Sequence, residues 1–162
     1  VQASADLNVG IVWSGNLRHR HGWAHNRSIP FDNLETLFSI QGVSWYSLQF
    51  ETPEPSISNK MQELGVKDMS NYILSFSDTA EIISDLDLVI TIDSAVAHLA
   101  GALGVSVWVM LSFVPDWRWL LVREDSPWYP TMSLFRQKKR GLWGDVVEAV
   151  SIALSRKIIQ GD

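Results

Sequence analysis

The residues of this chain best suited to do chemistry are Asp93, Ser94 and His98, inside the run Leu86 to Leu111, LDLVITIDSAVAHLAGALGVSVWVML. Asp93 and Ser94 are helix N-cap residue types standing between an apolar run and a small-residue helix. With Asp93 as the cap, Ser94, His98 and Gly101 follow at spacings of four and three and share one stripe of that helix. Val96, Ala100 and Leu103 then form a second stripe suited to a sheet. A hydroxyl, an imidazole and a gap left by glycine would lie beside the unpaired N–H groups of Ser94, Ala95 and their neighbours, an arrangement suited to phosphate oxygens. The Asp93 carboxylate would repel a phosphate set directly against it. It fits better as a cap, or as an acceptor for a sugar hydroxyl or a basic side chain. Two readings stay open on spacing alone: an anion site, or a helix start that merely caps itself beside a surface histidine.

A second source of positive charge lies between residues 17 and 27, where Arg18, His19, Arg20, His21, His25 and Arg27 fall close together. Composition alone reads this stretch as a solvated loop. Placed on the same rim as the helix start, it would supply Arg27 to an anion from the other side. Other chemistries find no footing. There is no Gly-x-Gly-x-x-Gly turn and no Gly-x-x-x-x-Gly-Lys loop. Ser14 lacks the glycine two residues before it that a nucleophile elbow needs. His21 and His25 have helical metal-ligand spacing, but Gly22 and a polar loop disfavour a zinc site, and no metal is expected.

The elements that must position these groups follow from the pattern of apolar runs. Leu7 to Trp13 reads as a first strand, closed by the turn Ser14-Gly15-Asn16. Asp32 to Ser39 has helical spacing at Leu34, Leu37 and Phe38, and Asp32 with Glu35 resembles a capping box. Val43 to Leu48 is a strand ending at Gln49; 51–58 reads as a loop and Asn59 to Leu64 as a short helix. Tyr72 to Phe76 is expected to be a strand, Ser77-Asp78 to cap a helix running to Leu86, and Leu86 to Ile92 and Val105 to Leu111 to be buried strands. Met132 to Phe135 is a last short strand, before a closing helix to about Arg156. This alternation predicts an α/β fold: a Rossmann-like, doubly wound, mostly parallel sheet with helices on both faces. Right-handed crossovers would gather Gly15, Asn16, Gln49, Asp78, Asp93 and Ser94 on one rim.

Bulk properties agree with one globular lobe over residues 1–162, its core about 7–156. The net charge of −5 argues against nucleic acid as a partner. The chain has no cysteine, so disulfides and thiolate chemistry are excluded. No secretory signal or membrane-length apolar run is visible, and a cytoplasmic location is expected. The first strand follows the N-terminus almost at once, as expected of a fragment of a longer protein. Five of the eight tryptophans, Trp108, Trp117, Trp119, Trp128 and Trp143, crowd the last third beside Pro115, Pro127 and Pro130. They suit either cover for apolar surface beside an irregular loop, or a stacking or docking surface.

The run from Asp93 to Gly104, with Val9 to Asn16, Asn26 to Pro30, Asp78 to Ala80 and Pro115 to Trp119, resembles the C-terminal lobe of GT-B-fold glycosyltransferases of the heptosyltransferase type. The likeness is nearest to the glycosyltransferase-like domain that follows tetratricopeptide repeats in bacterial proteins. It extends from Val9 to about Leu154. The resemblance implies a lobe that binds a nucleotide-diphosphate sugar donor without a cofactor, with Asp93, Ser94, Ala95 and His98 at the diphosphate and sugar. Arg27 stands where the family has a basic residue approaching the phosphates. Gln49 and the Ser77-Asp78 region fall near the nucleoside pocket. It also implies an upstream lobe or repeat domain and an acceptor whose identity the sequence leaves open. No carboxylate in this chain can be assigned as catalytic base, so the isolated lobe would bind donor without transferring sugar. The alternative is a non-catalytic module that keeps the fold and docks a protein partner through its tryptophan-rich third.

Overall fold

Strands that are apolar along their whole length need cover on both faces, and the chain supplies it. The computed structural model describes residues 6–15 and 27–161. Leu7–Val12 (β1), Val43–Ser47 (β2), Val66–Asp68 (β3), Leu88–Ile92 (β4), Val107–Leu111 (β5) and Met132–Arg136 (β6) form one sheet. Its order is β3-β2-β1-β4-β5-β6, and every pairing is parallel. All five residues of β4 are buried, including Thr91.

The helices are Glu35–Phe38 (α1), Pro55–Glu63 (α2), Phe76–Ser84 (α3), Ala95–Ala102 (α4) and Gly144–Gln160 (α5). α1 packs against α5, and α3 against α4. Right-handed crossovers put these pairs on opposite faces of the sheet, because the chain winds one way from β1 to β3 and the other way from β4 to β6. α5 turns Val146, Val147, Val150 and Leu154 inward, a single helical stripe. It ends at Gly161, whose φ of 69° is the left-handed cap conformation. The fold is therefore the expected α/β doubly wound sheet. The winding reverses between β1 and β4, the position at which sheets of this kind form a crevice at the strand ends.

Three local expectations are corrected. The third strand is Val66–Asp68 and not Tyr72 to Phe76; that segment is a 3-10 turn at Ser70–Tyr72 leading into α3, with Tyr72, Leu74 and Phe76 exposed. α2 begins at Pro55, inside the stretch expected to be loop, because proline suits a helix's first position. Asp32 and Glu35 form no capping box. Phe31–Leu34 is a 3-10 turn without a side-chain cap, and both carboxylates face Lys60 of α2, that of Glu35 at 3.8 Å.

Candidate functional site

α4 starts at the crevice, immediately after β4. Its N-cap is Ser94, extended at φ −150° and ψ 166°, and not Asp93. The Ser94 hydroxyl does not cap the helix. It lies 2.9 Å from the hydroxyl of Thr91, which donates at 2.9 Å to the Ile92 carbonyl. Thr91 therefore accepts from Ser94 and draws that side chain toward the sheet. The first N–H groups of a helix have no partner within it, so Ala95, which is exposed, and Val96 present theirs outward. An open helix start of this kind attracts anions through both hydrogen bonds and the helix dipole.

Across the crevice, Gln49 fastens the end of β1. Its side-chain oxygen accepts from the Trp13 and Ser14 amides at 2.9 and 3.0 Å, and its NH2 group donates to the Ser14 carbonyl at 3.1 Å. Gln49 thus extends the β1–β2 ladder by one side chain and holds the backbone that leads to Gly15. Gln137, just past β6, accepts in the same way from Phe113 N–H at 3.0 Å beyond β5. The Gly15 amide donates to Ser28 Oγ at 3.1 Å, and among the described residues no atom lies within 4 Å of where a Gly15 side chain would begin. This joins the β1 turn to the segment that carries Arg27. Asn16 and the basic residues 18–25 lie outside the described residues.

Arg27 and Asp93 meet at 3.7 Å, with their side chains 39% and 14% exposed. Asp93 thus faces a basic neighbour across an ion-pair distance. The contact is long for an ion pair, and Arg27 Nε is buried without a hydrogen-bond partner among the described residues. The guanidinium offsets the Asp93 carboxylate beside the helix start while keeping donors in hand.

His98 is held from two directions. Its ring stacks on Trp119, with centroids 5.3 Å apart and planes inclined by 23°. Its Nδ1 lies 3.3 Å from the hydroxyl of Tyr129. When the phenol donates to Nδ1, the proton of a neutral imidazole sits on Nε2, which becomes a donor. Tyr129 comes this close because residue 101 is glycine: a side-chain carbon there would lie 2.7 Å from the Tyr129 ring. The expected gap at Gly101 is therefore filled by Tyr129 rather than open. Of the stripe expected to face the sheet, Ala100 is buried and Val96 packs against the core, while Leu103 is 43% exposed and Ala97 is buried in addition.

Of the nine residues named from sequence, Asp93, Ser94, Ala95 and His98 share the start of α4, Arg27 joins them through Asp93, and Gln49 and Gly15 line the facing β1 turn. Asp78 instead closes a capping box on α3, whose N-cap is Ser75. Its carboxylate accepts from Ser75 Oγ at 2.9 Å and Leu74 N–H at 3.1 Å, and these bonds, the serine's first, hold its carboxyl below the usual range. Among the described residues no three His, Asp or Glu side chains gather as a metal site. Sequence reasoning did not single out Thr91, Trp119 or Tyr129 as partners of Ser94 and His98. A threonine three residues before the N-cap carried a local signal; Trp119 and Tyr129 lie on a distant loop and carried none.

No family model matches the chain. The chain is similar to Protein FlbA of Caulobacter vibrioides, at 31% identity over 150 residues that make up 90% of this chain and 24% of that protein. It spans about a quarter of the length of this curated relative.

Proposed function

We propose that this chain is the donor-binding lobe of a glycosyltransferase of the heptosyltransferase type, taking the diphosphate of a nucleotide-diphosphate sugar at the start of α4. The observation that carries the reading is the uncapped helix start at the reversal of the sheet, flanked by Arg27 and His98. Charge on the diphosphate is met by the Ala95 and Val96 amides, the Arg27 guanidinium and His98 Nε2–H, with no step assigned to a cation. Gly15 adds no side chain to the facing turn. The catalytic base comes from elsewhere in the longer protein, and this lobe by itself holds donor.

Calorimetry with uridine, guanosine, adenosine and cytidine diphosphates and their sugar conjugates tests the proposal. Binding of at least one, weakened about tenfold or more by His98→Ala or by Arg27→Ala, is expected, since each removes a charge-assisted or dipolar contact. Absence of binding by all of them, or binding indifferent to both substitutions, contradicts it.

A second reading has its own observation. The segment after β5 exposes Phe113, Val114, Trp117, Leu121, Val122 and Trp128, with Leu121 and Val122 at 78% and 90%. A module that docks a protein partner through this surface would show a change in oligomer size and tryptophan fluorescence with that partner and none with nucleotide sugars.

A further inference from the structure

The loop that carries Trp119 is bent in a way its own residues do not favour. Leu120 follows the 3-10 turn Trp117–Trp119 at φ 55° and ψ −169°, a left-handed conformation unusual for a residue with a side chain. The Leu120 side chain is 44% exposed, so burial does not hold it there. What faces the bend is Arg136, the last residue of β6. Its Nε donates to the Arg123 carbonyl at 2.9 Å, its Nη1 to the Leu120 carbonyl at 2.9 Å, and its Nη2 to the Trp119 carbonyl. Three carbonyls of one loop thus converge on one planar fork, a geometry an ammonium cannot reproduce. The turn at Leu120 aims two successive carbonyls at the same group. The Trp119 side chain, 1% exposed and with its indole N–H unpartnered, lies under His98.

We infer that Arg136 is a positioning residue for His98: by gathering the Trp119, Leu120 and Arg123 carbonyls it fixes the strained bend that presses the Trp119 indole against the imidazole. Arg136 touches neither His98 nor the start of α4 and acts through the loop. The functional consequence rests on the reading of His98 as a phosphate donor, whereas the positioning rests on the geometry of the ligand-free chain. Partial burial moves the Arg136 guanidinium below its usual value, and an arginine stays charged through such a shift.

The test is the His98 ring resonance in the ligand-free 162-residue chain, identified by its loss in His98→Gln. In the unsubstituted chain, stacking on Trp119 shifts the His98 Cε1–H signal upfield by ring current. Arg136→Ala and Arg136→Lys are both expected to move it downfield, the lysine because one ammonium cannot span three carbonyls. Leu120→Gly added to Arg136→Ala is expected to restore part of the upfield shift, since glycine takes positive φ without a side-chain penalty. Titration with uridine or guanosine diphosphate should follow the same order, with affinity about tenfold lower in Arg136→Ala and partly recovered in the double variant. A His98 signal unmoved in a folded Arg136→Lys or Arg136→Ala chain overturns the inference, as does Leu120→Gly giving no recovery. If the unsubstituted chain binds no nucleoside diphosphate, the donor-site reading fails and the resonance still decides the positioning.

Discussion

The His98 imidazole has lost most of its freedom before any ligand arrives, because Trp119 covers one face and Tyr129 engages Nδ1. A donor fixed in advance costs a ligand less ordering than a mobile one. The room for Tyr129 comes from Gly101, so Gly101→Ala must push the ring aside. We expect this variant to lose about 1–3 kcal/mol of stability in a denaturant titration, as overpacked sites do, and to weaken nucleoside diphosphate binding in calorimetry. An alanine at 101 that changes neither would show that Tyr129 does not depend on this close approach. Arg27→Lys probes the opposite side. It keeps the charge that offsets Asp93 but loses the fork, so its affinity for a nucleoside diphosphate should fall between those of the unsubstituted chain and Arg27→Ala. Asp93, Ser94 and His98 were visible in the sequence because a cap and an i, i+4 pair are local. Their partners were not, since Trp119 and Tyr129 reach His98 only after the chain has passed through β5 and turned back.

At the level of elements, the same division holds. α3 carries a capping box in which Ser75 and Asp78 each bond the other's neighbourhood, so the cap lies two residues before the expected Ser77. The physical reason lies in Tyr72, Leu74 and Phe76: their apolar character read as a strand, yet they face solvent. The true β3, Val66-Lys67-Asp68, is an edge strand of three residues with one buried side chain, too short to show a period. Ser75→Ala is expected to cost about 1 kcal/mol in thermal or denaturant unfolding. The Asp78 carboxyl is lowered in the folded chain, chiefly by the Ser75 hydroxyl and also by the Leu74 and Ser75 amides. Its contribution is thus present above the ordinary value of 3.8 and is lost as pH falls through the folded one. The stability difference between the unsubstituted chain and Asp78→Asn should shrink as pH is lowered through that range, and a constant difference would contradict the assignment. Gln49 could be placed at the end of β2 from sequence, but its role needed β1 to be known as the neighbour. Gln49→Ala leaves the Trp13 and Ser14 amides without their acceptor, and a loss of about 1–3 kcal/mol in the same unfolding measurements is expected.

For the molecule as a whole, the parallel doubly wound sheet was legible because β4 and β5 are apolar on both faces and separated by a compact helix. That pattern requires a crossover and a covered sheet. The reversal between β1 and β4 then places the Gly15 turn and the Asp93–Ala95 start at one crevice, although they stand far apart in the chain. The same rim carries much of the exposed apolar surface of the described residues, at Phe50, Tyr72, Phe113, Trp117, Leu121 and Trp128 in segments that follow strand ends. An exposed apolar surface of this kind suits contact with a partner surface. Among the described residues no helix is long and apolar enough to cross a membrane. The proposed role of the α4 start is to take the diphosphate of a sugar nucleotide. Its most direct test is a crystal structure of the chain soaked with the nucleoside diphosphate that binds best. Phosphate oxygens are expected within hydrogen-bond distance of the Ala95 and Val96 amides, with His98 and the Arg27 guanidinium turned toward them. A nucleotide bound on any other face, or an empty crevice at saturating concentration, would contradict it.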